Sequence, residues 1–508
     1  MNSEQQYIDL FRAHRDLLEQ HAAPVTNRPR EEAAALLEQQ GLPDRKTERY
    51  KYTDARAAFA PNFGVNLKRL LPKANPYDTF RCQVPNLSTS LFFVLNDVPV
   101  PAPLHTQSLL PEGVTVDSFS RVEKKRPGWL EAFYHRAASH ERDFKTGHDG
   151  VTLLNTMLAQ DGLLIHVPAG VKLKTPIQVV NMSVATSDFL SLRRVLIVAE
   201  EDAEVSVLFC EHAEGAPAYL TSEVMEVYGG VNSSVSLYSI EETNERCTAF
   251  RNIFTEQQSG SRVTCHSVTL TCGTSRTRLD ARLKGEGAVC EAFGAVIADD
   301  TRRVDHNVLV EHLTPGCQSD MLYKYVLDGS SVGAFAGKVY VAPGADKTLS
   351  RQTHASLCAS PTSRAFSQPM LEIYADDVSC NHGSTTGKLD EAALFYMRQR
   401  GIPEAEARLL LQHAFINEVL RHVSIPHLYD RLAFLTDQRF RGALRHCQGC
   451  HRCGVKSGIQ RFFHCTPCLI LKKYVPTFPF WKERSMTARW SIWTTPPRLR
   501  SHAALSMR

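Results

Sequence analysis

Cys380 and His382 stand two residues apart in the stretch ADDVSCNHGSTTG. A thiolate and an imidazole are both good ligands for iron, and a lowered thiol pKa would favour capture of metal or sulfur. Two side chains do not complete a four-ligand site, so any further ligands come from elsewhere, a second subunit included. A purely structural reading also stands: Asn381 and Gly383 shape a turn and Cys380 is simply buried. A second constellation lies near the C-terminus, where Cys447, Cys450 and Cys453 are followed by Cys465 and Cys468. CxxCxxC followed by CxxC has the spacing of zinc or iron–sulfur ligands.

Other chemistry is missing from the sequence. GAFAGKVY contains Gly337 and Lys338 but lacks the phosphate-loop spacing and the hydroxyl residue after lysine. No glycine fingerprint opens a βα unit, and no HExxH or GxSxG motif occurs. Energy input, if any, must therefore come from a partner. His135, His140 and His148 read as solvated helix and loop histidines. Asp299, Asp300 and Asp305 would be the carboxylates to suspect if the β region were a carbohydrate-active enzyme, which requires an acid and a base or nucleophile at a set separation.

The elements that position these residues follow from periodicity. Residues 1–145 read as mostly helical: Ile8, Leu10, Phe11, Leu17 and Leu18 form a stripe, and EEAAALLEQQGLP is a helix closed by Gly41 and Pro43. Residues 85–118 read as short strands and loops. From 146 to 378 the period changes to two, in runs such as LLIHV, IQVVNMS, RVTCHSVTLT and KVYVAP. Several runs are apolar on consecutive residues, as buried parallel strands tend to be. A sandwich, barrel or solenoid is consistent with this pattern, and the parallel tendency favours a β-helix. Leu371, Ile373 and Tyr374 alternate like a strand, and a polar loop is expected to carry Asp376, Asp377, Cys380 and His382. Residues 379–445 return to helix. Asp390 is placed to cap a helix N-terminus, Gly401 to end it, and Ala407, Leu411, Ala414, Phe415, Val419 and Val423 to form one apolar face.

The chain has 508 residues, 43% hydrophobic and 22% charged, which describes a globular protein of two or three domains. No apolar run is long enough for a membrane span, and the N-terminus lacks a signal-peptide pattern, so a cytoplasmic location is expected. The cysteines from Cys82 to Cys380 have no paired spacing and read as reduced, mostly buried thiols. Residues 441–508 hold 13 Lys and Arg and one acid, Glu483, leaving 45 basic against 53 acidic residues in the rest. The main body therefore has no nucleic-acid footprint. Residues 446–508 form a basic, cysteine-containing tail without helical or strand period, read as disordered or as an out-of-frame translation. Shifting FPFWKERSMTARWSIWTTPP by one base permits a string resembling the start of a cysteine desulfurase. On that reading Cys465 and Cys468 are accidental, while Cys447, Cys450 and Cys453 remain as a weak metal-site candidate.

ADDVSCNHGSTTGKLDEAALFYMRQRGI closely resembles the signature of the SufB/SufD family of iron–sulfur cluster assembly scaffolds, in its SufD form. The likeness extends through most of residues 1–445, in LLNTMLAQDGLLIHVPAGVKLKTPIQVVN and GKVYVAPGADKT. It implies a mainly β fold: a right-handed parallel β-helix core flanked by N-terminal and C-terminal α-helical domains. It implies a non-catalytic subunit that pairs with a SufB-like paralogue and docks a SufC-like ABC-type ATPase through about residues 385–440. A cysteine desulfurase system would supply sulfur indirectly. A transient iron–sulfur cluster shared with SufB would form near Cys380 and His382, with His382 the better-supported ligand and Cys380 assisting; flavin use is left open. Neither nucleic acid nor membrane is an implied partner. One rung departs from the family: RQTHASLCAS replaces a more usual QTNxNLLLS-like string, and His354 and Cys358 receive no role.

Overall fold

From Leu163–Val167 onward, successive strands alternate between two stacked parallel sheets, so that each strand pairs with the second one after it in sequence. The computed structural model describes residues 3–70, 75–79, 87–139, 148–215 and 217–442. One sheet stacks Ser90–Leu95, Ile177–Val184, Glu204–Glu214, Ser234–Glu242, Arg262–Thr271, Val289–Ala298, Gln318–Leu327, Thr348–Cys358 and Val378–Gly387. The facing sheet stacks Leu163–Val167, Phe189–Ala199, Tyr219–Gly229, Cys247–Gln257, Thr274–Leu283, Arg303–His312, Val332–Val341 and Arg364–Ile373. This is a parallel β-solenoid, the architecture the resemblance implies.

One turn advances 27 residues from Arg262 to Val289 and 31 from Gln318 to Leu349. The variable turn length explains why no clean sequence repeat is visible. Asp202, Asn232, Gly260, Gly287 and Gly316 occupy the same corner of consecutive turns, each with φ between 55° and 69°. That left-handed conformation favours Gly, Asn and Asp, so these residues mark the corners.

Alternate residues of both sheets face inward and fill the solenoid with Ile165, Val179, Ile197, Val207, Leu237, Val263, Leu279, Val308 and Val339. At the N-terminal end, short antiparallel strands, Val98–Pro99 and Thr115–Ser118, cap the two sheets. At the other end no further strand follows among the described residues.

Helices cover the outer faces. Gln5–His21, Arg30–Gln40 and Gly150–Leu158 share a core containing Ile8, Phe11, Leu18 and Leu37, packed on Leu190, Leu220 and Phe250. Glu404–Leu420 and Pro426–Phe440 bury Ile416, Val419, Leu420, Leu428 and Leu432 against Ile240, Val268, Phe293 and Leu322 of the other sheet. Core packing thus accounts for the apolar stripe seen in the sequence. Arg439 fixes this arrangement, donating to the Leu270 carbonyl at 2.8 Å and pairing with Asp299.

Between the N-terminal helices and the solenoid runs a segment held by buried charge. Arg49 spans Asp280 and Asn307, Tyr50 donates to Asp149, and Thr53 donates to Asp305 at 2.7 Å. Arg278 pairs with both Asp149 and Asp280, and the Arg276 guanidinium lies 4.0 Å from the Tyr50 ring centroid. Burial alone would raise the Asp280 carboxyl, but Arg278 and Arg49 outweigh it and hold it well below the usual carboxylate range. Removing one partner of such a network strands a buried charge. Arg49→Met is therefore expected to cost roughly 3–5 kcal/mol in denaturant unfolding. A loss below about 0.5 kcal/mol, the range typical of surface changes, would mean that apolar contacts alone hold the segment.

Candidate functional site

Among the described residues, the last strand, Val378–Gly387, pairs only with Thr348–Cys358, in parallel register. Its partners place Cys380 beside Ser350, His382 beside Gln352 and Ser384 beside His354. The expected polar loop is therefore a strand. The loop is confined to residues 374–377, and the β region runs on to Gly387, past the boundary expected after residue 378. SCNHGSTTG has no apolar alternation because one edge of the strand has no neighbour among the described residues and Ser379 and residues 381–387 are exposed. Its conformation is imposed by the preceding rung. Asp377 belongs to the turn, where its carbonyl accepts from the Lys347 amide at 2.6 Å. Downstream, the Asp390 carboxylate caps Glu391–Gln399 by accepting from the Ala392 and Ala393 amides, and Gly401 follows with φ 81°.

Cys380 and His382 share the inward face of this strand, since alternate residues point the same way. Cys380 is half-buried and packs on the end of the core, whereas His382 is exposed. Burial raises the Cys380 thiol, and a backbone hydrogen bond from Ser350 returns it only part of the way. The lowered thiol pKa that would favour sulfur or metal capture is therefore not a property of this chain alone.

Beneath them the interior turns polar. Ser350, Gln352, His354 and Ser356 are all buried on the penultimate strand of that sheet. His354 bonds through Nδ1 to Ser367 at 3.0 Å and through Nε2 to Ser356 at 3.1 Å, and it stacks on Phe335. Ser384 donates to the same Ser367 hydroxyl at 2.6 Å. Ser367 lies on the facing sheet, so His354–Ser367–Ser384 is a hydrogen-bonded brace across the end of the solenoid. Deeper still, His306 bonds to Tyr325 at 2.8 Å and to Ser267 at 3.0 Å. The period-two polar series from Ser350 to Ser356 was a visible signal for this lining, although sequence reasoning gave His354 no role.

Among the described residues, no group of three or more His, Cys, Asp or Glu side chains forms a metal-holding cluster. Cys380 and His382 come together on one strand; among the described residues the remaining candidates do not join them. Asp299 is paired with Arg302 and Arg439, Asp300 with Arg302, and Asp305 is buried against Arg276. Asp299 and Asp305 serve ion pairs that hold the fold, and Asp300 is an exposed turn residue paired with Arg302, an arrangement that does not support the carbohydrate-active reading. His135 is not a solvated histidine: it is largely buried, and burial, with smaller effects from Arg194 and His148, lowers it to about 3. Cys358 is half-buried against the core. Eight cysteines from Cys210 to Cys380 are free thiols, five of them buried. Cys82, His140 and the tail cysteines Cys447, Cys450, Cys453, Cys465 and Cys468 lie outside the described residues.

Burial lowers the His354 imidazole to about 4. Burial, with Arg251, His354 and Arg276, lowers His306 to about 3. Both rings bind a proton more weakly folded than unfolded, so stability is lost as pH falls from about 6.5 toward 4. Each contributes a slope on the order of 1.4 kcal/mol per pH unit within its window. Denaturant unfolding from pH 7.5 to 4.5 is expected to show about one proton less uptake in His354→Gln than in wild type. An identical slope would show that His354 is protonated without cost.

Two family models match this chain. The SufBD core domain of the SUF system for iron–sulfur cluster assembly matches residues 182–415, and the SufBD protein N-terminal region matches residues 1–179. An iron–sulfur cluster assembly SufBD family protein of Synechocystis is 26% identical over 414 residues, covering 79% of this chain and 88% of that protein. A SufBD family protein of Mycobacterium leprae is 35% identical over 175 residues, but covers only 32% of this chain and 45% of the relative. The iron–sulfur cluster assembly protein SufD of Bacillus subtilis is 22% identical over 336 residues, 66% of this chain and 76% of that protein. The core match includes Cys380 and His382, and together the two matches run through the N-terminal helices, the solenoid and its open end. The chain belongs to the SufBD family of iron–sulfur cluster assembly proteins.

Proposed function

We propose that this chain is the SufD-like subunit of an iron–sulfur assembly scaffold, and that its open terminal rung is where a nascent cluster is held against a SufB-like paralogue. The observation that carries this reading is the edge of Val378–Gly387 that no strand among the described residues pairs with, with Cys380 and His382 on one face of the strand. An exposed strand edge is a template for another chain. A partner docked there would bring the ligands that Cys380 and His382 lack, and would bury His382. The cluster is cargo, built and passed on rather than retained. Cys380, with its raised thiol pKa, fits an assisting role that awaits a nearby cation or metal, and His382 fits the primary one.

The other parts follow from the same reading. The N-terminal helices act as a cover, the solenoid up to Gly387 as the scaffold, and the helices from Glu391 to Phe440 as the ATPase-docking unit, with 446–508 as an appended tail. The helices after the solenoid bury one face, yet Phe395, Tyr396 and Phe434 remain exposed, suiting contact with a SufC-like ATPase. Hydrolysis would then be the partner's work and this chain non-catalytic. Sulfur would arrive from a desulfurase through other components, with flavin use left open. No helix among the described residues is long and apolar enough to cross a membrane, in keeping with a cytoplasmic scaffold.

Anaerobic reconstitution of the co-expressed three-component complex tests the site. His382→Ala is expected to assemble with its partners but lose most of its iron and sulfide; a normal cluster in the variant would make His382 structural. For the helical surface, Phe395→Asp is expected to cut ATPase co-purification at least tenfold while leaving the thermal midpoint within about 2 °C, as surface changes usually do. Undiminished capture would move the docking surface elsewhere.

A further inference from the structure

Gln352 is 1% exposed and lies beside His382 on the adjacent strand. In-register residues of parallel strands face the same way, about 4.8 Å apart. The Gln352 amide nitrogen donates to the Gly337 carbonyl at 3.2 Å, which fixes which end of the amide is which, because a carbonyl accepts only from the N–H side. A Cβ at Gly337 would stand 2.2 Å from that nitrogen, so the amide rests against bare backbone. Its other end, Oε1, is buried without a hydrogen-bond partner among the described residues. Buried amide oxygens are rarely left unpaired, and one that is calls for a donor. Ser350, beside Cys380, differs: its hydroxyl is already bonded to Ser319 at 2.8 Å.

The His382 ring shares that face, in register with Gln352, and carries an N–H that can donate. Its strand is held two residues further on by the Ser384–Ser367–His354 brace, which fixes the backbone and leaves the orientation of the ring to its side-chain torsions. A neutral imidazole has one N–H and one lone pair, and metal-ligating histidines usually donate the N–H to a carbonyl or carboxylate. We propose that Gln352 is the positioning residue for His382: its Oε1 accepts the ring N–H, fixing one tautomer and turning the other ring nitrogen outward as an iron ligand. The inference rests on the proposed ligand role of His382. It adds that the ligand is prepared by this chain before any partner or iron arrives.

The test uses the full-length chain labelled with 15N-histidine, with the His382 signals assigned by their loss in His382→Ala. Long-range 15N–1H correlation spectra are expected to show one dominant neutral tautomer in wild type. Gln352→Met, of similar length and without an acceptor, is expected to give a mixture of tautomers. In the co-expressed complex, the same variant is expected to weaken ferrous iron binding about tenfold, while Gln352→Glu, which keeps an acceptor, restores it. Mixed tautomers in wild type overturn the inference even if Gln352→Met fails to fold. An unchanged tautomer in a folded Gln352→Met also overturns it. A normal cluster in His382→Ala would instead overturn the ligand reading and leave the tautomer result intact.

Discussion

Backbone hydrogen bonding between successive turns is the constraint on which this molecule depends. Inward and outward positions along the stack are set by parallel pairing, in register apart from one shift between Thr269 and Thr271, in which each turn satisfies amides and carbonyls of the one before. The stack is capped at its start, where Val98–Pro99 and Thr115–Ser118 pair antiparallel, and open at its end. The terminal rung therefore inherits its geometry from Thr348–Cys358, and its other edge has no partner strand among the described residues. That asymmetry makes Cys380 and His382 more than two polar residues near a turn.

The outer faces are closed by different means. On one sheet, helices bury aliphatic and aromatic side chains, and Arg439 locks the last helix to Asp299. On the other, the N-terminal segment is held by alternating guanidinium and carboxylate groups from Arg49 to Asp305. Such a network tolerates little shear, because displacing one charge leaves its partner buried and unpaired. Tyr52 extends the contact to the end of the solenoid by stacking on Phe366 at 4.8 Å. The rigid parts thus reach the rung that carries the candidate site.

Much of the fold was legible in the residues. Ile177–Val184 and Arg262–Thr271 alternate or run apolar as buried strands do, Asp390 announces a helix start, and Gly41 and Gly401 announce helix ends. Thr274–Leu283 was not legible: TSRTRLDARL looks like a charged surface segment, yet Arg276 and Arg278 are buried under the N-terminal chain. A local pattern cannot reveal that a distant segment supplies the counter-charges. Val378–Gly387 was misread for the complementary reason. Its residues have little strand preference, and its conformation comes from the neighbour rather than from itself.

By itself, the sequence determined the kinds of element, the pairing of a thiol with an imidazole at Cys380 and His382, and the family signature that contains them. Those are properties of residue identity and short spacing. Only the tertiary structure decided that the two lie on an edge strand, that the Cys380 thiol is raised by burial, and that Asp299 and Asp305 are consumed by ion pairs. It alone placed His354, Ser367 and Ser384 in one brace and left Gln352 Oε1 unpaired beside His382. The reason is that burial, register and counter-charge are set by residues dozens to hundreds of positions apart, which come together only when the turns stack.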